Sequence, residues 1–284
     1  MQIIRRKVPN NFNIFLVGDE HVGSLMYHED GWNQMVDMVN EPYDGASHNI
    51  VVDHGDAIEA IKTDDPRFQA ETTLMGNILS QAEYAKQARA AIQKQLVTIL
   101  NGNHEAKLHR FGDIMQHLIC KPLGVPYGTY SCHITYHDKG GNDILKHFAF
   151  HGSGSIQSIA DDAVRRAANR QLSLKRKMKE QFGDTALMSM GHTHQLHVTE
   201  PVKTLFLTVE NDTIKQNYTS NISTGEYIHP DHRWYVNTGS FMRLYGEMGV
   251  SGYAERAGYN PIMLGFAVAK VRDRKLVGVD KVYT

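Results

Sequence analysis

The sequence predicts an α/β fold in which two packed, mixed β-sheets are flanked by helices. Three observations carry this. Up to about Ile119, apolar strand-like runs alternate with helix-like segments, as in parallel βαβ units. Beyond that point the strand-like runs crowd together, and tight turns such as Lys139-Gly140-Gly141-Asn142 join several of them. Finally, five apolar runs stop abruptly and hand over to Asp, His or Asn. That grammar puts polar groups at the carboxyl ends of strands, where α/β sheets build their sites.

In chain order, residues 14–17 form the first of these strands and lead into Gly18-Asp19-Glu20-His21. Residues 25–40 carry Met26, Trp32, Met35, Val36 and Val39, the spacing of a helix that ends before Pro42. The next strand, 50–52, leads into Asp53-His54-Gly55-Asp56. Residues 65–95 read as helical over most of their length, with Leu74, Ile78, Leu79, Ala82, Ala85 and Ile92 on one stripe. They deliver the chain to strand 96–100 and to Asn101-Gly102-Asn103-His104-Glu105. In the second half, 129–136, 145–150, 205–210, 234–237, 263–272 and 276–282 read as strands. Strand 145–150 ends at His151-Gly152, and strand 186–190 ends at Gly191-His192-Thr193-His194. No repeat, low-complexity tract or Pro/Gly-rich linker divides the chain, so one domain over 1–284 is expected, with a basic helical insertion at about 156–182.

Composition narrows the class. With 41% hydrophobic and 21% charged residues over 284 positions, the chain is an ordinary globular protein long enough to bury a core. A net charge of −1 gives no global attraction for a polyanion. Cys120 and Cys132 are too few for a disulfide scaffold and form no CxxC pair, which implies a reducing, cytoplasmic setting. No stretch is apolar for long enough to span a bilayer, and the run after Arg5, Arg6 and Lys7 is too short for a signal peptide.

Asp19, His21, Asp56, Asn103, His151, His192 and His194 are therefore the candidate metal ligands. Carboxylates, imidazoles and one amide oxygen, with no thiolate, suit Mn²⁺ first, with Fe, Zn or Ni as alternatives. Seven ligands exceed what one tetrahedral ion needs, so two divalent ions sharing a carboxylate is the economical reading. Two ions about 3.5–4 Å apart suit an in-line displacement at phosphorus.

These blocks resemble the calcineurin-like metallophosphoesterases, whose ordered signature is DxH, GDxx(D/E), GNH(D/E), a lone His and GHxH. Here it stands as Asp19-Glu20-His21, Gly55-Asp56-Ala57-Ile58-Glu59, Gly102-Asn103-His104-Glu105, His151-Gly152 and Gly191-His192-Thr193-His194. The resemblance implies a four-layer αββα sandwich. It implies that Asp19, His21 and His194 bind one ion, that Asn103, His151 and His192 bind the other, and that Asp56 bridges them. It further implies a metal-bridging hydroxide that attacks phosphorus, with His104 as general acid. An imidazole titrates near neutrality and suits that role when a carboxylate supports it. Glu59 is the expected partner, with Glu105 as the alternative.

Substrate preference must come from the surroundings of the ions. Lys107, His109 and Arg110 follow the GNHE block at the start of an expected helix, and Arg110 is the first choice for gripping phosphate. His54, where the family has a small residue, is a second pocket candidate. Helix 159–180, with its apolar stripe at Ala160, Ala163, Val164, Ala167, Leu174 and Met178, carries seven basic residues. These are Arg165, Arg166, Arg170, Lys175, Arg176, Lys177 and Lys179, set against Asp161, Asp162 and Glu180, a net of +4. It reads either as a solvated face or as a track for a nucleic-acid backbone. The Gly- and Tyr-rich stretch 237–259, with Arg243, Tyr245, Tyr253, Arg256 and Tyr259, is a third candidate wall. The block after Asp56 lacks the Arg of the GDxVDRG protein phosphatases, which argues against phosphoprotein. The expected substrate is a phosphodiester, nucleic acid included; a phosphomonoesterase acting on a nucleotide or small molecule, or a non-catalytic metal-binding scaffold, is the alternative. His28, His109, His133, His137, His197 and His232 are expected outside the site.

Overall fold

Side-chain alternation along Phe12–Val17 (β2) sends Phe12, Ile14 and Leu16 into one core and Phe15 and Val17 into another, and all are fully buried. That split sets the architecture. The computed structural model of the chain describes residues 1–219, 227–246, 255 and 257–284. Besides β2, the strands are Gln2–Lys7 (β1), Asn49–Asp53 (β3), Leu96–Ile99 (β4), Ser131–His137 (β5), Asp143–Phe150 (β6), Leu187–Met190 (β7), Leu196–Thr199 (β8), Leu205–Glu210 (β9), Thr213–Tyr218 (β10), Trp234–Thr238 (β11), Gly265–Arg272 (β12) and Lys275–Tyr283 (β13). The α-helices are Glu29–Asn40 (α1), Ile78–Ala90 (α2), the single turns Asn103–Ala106 (α3) and Lys121–Leu123 (α4), and Ala163–Met178 (α5).

The chain is mixed α/β. One sheet has the order β13-β12-β2-β3-β4, and the other β1-β5-β6-β7-β11-β8. Strands β2, β3 and β4 run parallel, as do β6, β7 and β11, while β12 and β8 join them antiparallel. One apolar cluster draws on both sheets, among them Ile14, Val52 and Ala267 from the first and Ile134, Leu187 and Val236 from the second. A second cluster joins Phe15, Val17 and Val51 to Trp32 and Met35 of α1 and to Ala82 and Ala85 of α2. A third joins Phe148, Met188 and Tyr235 to Leu174 and Met178 of α5.

Several expectations change in detail. Residues 65–77 hold only a 3-10 turn, Ala70–Thr72: Asn77 caps α2 by accepting from Leu79 N at 2.8 Å, so that helix begins at Ile78. Asp65-Pro66-Arg67 makes a turn instead, and 72–75 lie against the 23–25 loop through Leu25 N to Thr72 O and Leu74 N to Gly23 O. The helix expected after the GNHE block breaks at Gly112, whose φ is 103°, and resumes as a π-helical stretch, Met115–Cys120. In α5 only Leu174 and Met178 of the expected stripe are buried, and Val164 is 78% exposed. Strands β1, β8 and β10 gave no clear sequence signal; among the described residues β9 and β10 pair only with each other, and their apolar side chains are exposed. Tyr253 and Arg256 lie outside the described residues. Among the described residues, no helix is long and apolar enough to cross a membrane.

One buried ion cluster fixes the ends of β2 and β3. Arg89 of α2 is fully buried beneath Trp32. It donates to Asp53 Oδ2 through Nε at 2.8 Å and to Glu20 Oε1 through Nη2 at 2.7 Å. Asp53 Oδ1 in turn accepts from Gly55 N at 3.0 Å. Burial pushes the Glu20 carboxyl well up against the pull of Arg89. Arg89→Ala strands the Asp53 charge in the core and should cost about 3–5 kcal/mol. Urea unfolding measures it, and a loss under about 1 kcal/mol would show that the cluster is dispensable.

Candidate metal centre

Each candidate ligand sits just past a strand end. Asp19 and His21 follow β2, Asp56 follows β3, Asn103 follows β4, His151 follows β6, and His192 and His194 follow β7. Because β2–β4 are parallel neighbours in one sheet, and β6 and β7 in the other, all seven converge at one edge of the interface between sheets. The turns are sharp: Asp19, His21, Asp56, His192 and His194 have φ of 59°, 56°, 52°, 70° and 54°. Left-handed backbone at non-glycine residues costs about 1 kcal/mol or more apiece and survives where surrounding structure enforces it.

Among the described residues three groups have ligand atoms within 4.8 Å of one another: Asp19-His21-His194 and Asp56-His151-His192, made of the candidate ligands, and His21-Glu59-His104, which shares His21 with the first. In the first, His21 Nε2 is 3.1 Å from His194 Nε2, and His194 Nε2 is 3.4 Å from Asp19 Oδ1. In the second, His151 Nε2 is 3.3 Å from Asp56 Oδ2. Asn103 Oδ1 joins it, 3.0 Å from His151 Nε2 and 2.5 Å from His192 Nδ1. Asp56 Oδ2 also faces the first group, 3.9 Å from His21 Nε2. The structure thus brings together all seven residues singled out as ligands.

The rear nitrogens of the imidazoles are held. His21 Nδ1 meets Glu59 Oε2 at 2.8 Å, and His151 Nδ1 donates to the His54 carbonyl at 2.6 Å, which aims each Nε2 inward. Main-chain donors hold the carboxylates: His192 N reaches both oxygens of Asp19 at 3.0 Å, and His104 N donates to Asp56 Oδ1 at 2.8 Å. Gly102 leaves room for Asp56, since a Cβ there would fall 2.0 Å from Asp56 Oδ1. Ser240 Oγ donates to the Asp19 carbonyl at 2.9 Å, and Asn237 Nδ2 donates to Thr193 Oγ1, so the end of β11 and the turn after it brace both loops.

The donor set fits a metal cation. Burial alone would raise Asp56, yet His151 and His104 hold its carboxyl well below the usual range, and His194 likewise lowers Asp19. The compensating charge is carried by protons. Burial opposes a cation at His151, but Asp56 raises that imidazole to about 10, and Asp19 raises His194. Burial and the neighbouring imidazoles push His21 well down. These buried groups could hold a metal ion, which would replace protons as the counter-charge to Asp19 and Asp56.

The surroundings of His104 and the pocket assignments differ in detail from the sequence expectation. Glu59 reaches His104 with both its main chain and its carboxylate, and shares that carboxylate with His21. His104 Nδ1 donates to the Glu59 main-chain carbonyl, and Glu59 Oε2, 2.8 Å from His21 Nδ1, is also within ion-pair distance of His104 Nδ1 at 3.8 Å. Burial raises Glu59 to about 7 against His104 and Arg67. Glu105 turns away and accepts from Ile58 N and Gly102 N, both at 3.0 Å. His54 belongs to the core: Nδ1 donates to Val17 O at 3.0 Å and Nε2 accepts from Ser189 Oγ at 2.7 Å. Ser189 accepts from His147 Nε2 at 2.6 Å, and His147 Nδ1 accepts from Tyr136 at 3.2 Å. Burial drives His54 down to about 4 and His147 well down, so this chain of groups is neutral.

Arg110 is exposed and makes no described contact with the ligand cluster. The cation beside His104 is Arg67, with Nη1 3.5 Å from His104 Nε2, a residue that sequence reasoning placed inside a helix and passed over. On α5, Arg166 and Lys177 bond main-chain carbonyls, and Lys175 pairs with Asp231. None of the six histidines expected elsewhere joins a ligand group.

Gly102→Ala should displace Asp56 and reduce bound metal, read by elemental analysis after reconstitution; full occupancy would remove the close-packing argument. His151 and His194 must lose protons to ligate. Apparent metal affinity should therefore keep rising above pH 7, toward the pKa of about 10 at His151, where ordinary imidazoles have finished titrating. Uptake in weakly buffered solution should acidify it, and uptake without proton release would contradict the charge assignment. No protein-family model matches the chain, and no curated protein matches it.

Proposed function

We propose that the chain is a two-metal phosphoester hydrolase of the calcineurin-like metallophosphoesterase kind. The observation that carries this is the position of Asp56: one carboxylate oxygen faces both His21 and His151, between two otherwise separate ligand groups. Asp19, His21 and His194 would hold one ion, Asn103, His151 and His192 the other, and Asp56 both. Mn²⁺ is the first candidate, then Fe, Zn or Ni. When bound, such ions supply Lewis acidity, polarising a phosphoryl oxygen and lowering the pKa of water to about 7. The three apolar clusters support the finer fold reading as well, a four-layer sandwich of helices, two sheets and helices.

The protein's own part centres on His104. Its main-chain N–H is tied to Asp56, and its ring packs edge-on against His21 with centroids 4.5 Å apart. With Nδ1 donating to the Glu59 carbonyl, Nε2 is the atom that gives a proton to the leaving oxygen. Glu59 acts one step back, orienting His21. A phosphodiester is the preferred substrate, nucleic acid included. Two free, buried thiols, Cys120 and Cys132, fit a cytoplasmic site of action.

Metal-free protein refilled with Mn²⁺ should hydrolyse bis(p-nitrophenyl) phosphate faster than p-nitrophenyl phosphate, with single- and double-stranded DNA tested alongside. Silence on all of these with two ions bound would overturn the proposal. His104→Ala should retain its metal and lose about 10²–10⁴-fold in rate. Loss of metal in that variant would make His104 a ligand or a structural residue instead.

A further inference from the structure

Segments 62–67 and 104–111 are knitted into one wall beside His104. Arg67 is its centre: Nε donates to Asp65 Oδ1 at 3.0 Å and Nη2 to Asp65 Oδ2 at 2.7 Å, a fork that fixes the guanidinium plane. Nη1 of the same group lies 3.5 Å from His104 Nε2. Lys107 Nζ is 3.7 Å from Asp65 Oδ2. Lys62 Nζ stands 4.7 Å from the centroid of the Phe111 ring, a side chain 71% exposed. Arg67 is the cation at the imidazole; Lys107 joins it through Asp65, whose carboxylate meets both, and Lys62 and the exposed Phe111 ring pair with each other on the same two segments.

The position matters more than the charge. A cation at His104 Nε2 meets the atoms beyond the leaving oxygen, because that nitrogen is the one assigned to it. A guanidinium held in plane suits a phosphate, and the exposed ring of Phe111, on the segment that also carries His104, offers a surface on which a base can stack. We propose that this wall is a leaving-group subsite for a second phosphate, anchored by Arg67. Its substrate is an ester or anhydride whose leaving group is itself a phosphorylated, nucleotide-like unit. The term leaving group rests on the phosphoesterase reading; the preference for a second phosphate does not require turnover.

The test is calorimetric titration of metal-loaded protein with thymidine 3′,5′-bisphosphate and with thymidine 5′-monophosphate. The bisphosphate should bind about 10-fold tighter. Arg67→Gln should close that gap, and Arg67→Lys should keep part of it. Equal affinities in the unaltered protein, or a gap that survives Arg67→Gln, overturn the proposal, and the first of these needs no variant to fold. The same comparison with a methylene-bridged thymidine diphosphate and with the dinucleotide pTpT separates the sources of the second phosphate. An Arg67-dependent gap with the former points to a nucleoside polyphosphate, with the latter to a polynucleotide, and with neither it ends the proposal. An intact gap without hydrolysis of any phosphoester would sink the esterase reading and leave the subsite standing.

Discussion

Arg89 is the charge on which the candidate site is built. It lies under the turns after β2 and β3, holding Glu20 from one and Asp53 from the other, and those turns carry Asp19, His21 and Asp56. An ion cluster without access to water is costly to form and brings little net stability. Its value here is positional. Two loops tied to one guanidinium cannot drift apart, so the ligands they carry keep their spacing before any cation arrives.

The same logic runs outward from the carboxylates. Asp19 is gripped by His192 N and, through its carbonyl, by Ser240; Asp56 is gripped by His104 N and crowded by Gly102. Five left-handed ligand residues show what this costs. Backbone strain of this kind persists because several contacts over-determine each turn. The ligands are thus set by main-chain geometry more than by their own rotamers, and groups with no contact of their own to the centre, such as Arg89, control it.

Much of this was legible in the sequence. Apolar runs ending at Asp, His or Asn located the seven ligand candidates, because strand, sharp turn and polar group are local features. What was missed depends on contacts distant in sequence. Arg89 sits at helix spacing from Ala82 and Ala85, a charged residue on an apolar face, and that was the readable clue. Arg67 gave no clue, since its place beside His104 depends on how 65–77 fold back over the 23–25 loop. Glu59 stands at the expected position and within ion-pair distance of His104, but its closer contact is with His21, a sharing that depends on how the turn after β3 folds. For His54, adjacency to Asp56 suggested the pocket, whereas period-two alternation turned its ring into the core toward Ser189.

The strand order has a temporal side. The ligand-bearing β2 is flanked on one side by β12, and β12 by β13, so residues 265–283 complete the sheet that residues 12–17 begin. In the other sheet, β1 waits for β5, and β7 waits for β11. A ribosome making this chain releases Asp19 and His21 long before the strands that clamp them. The nascent chain therefore carries its candidate ligands scattered for most of its synthesis, and the strands that bring them together are completed only when the closing strands dock.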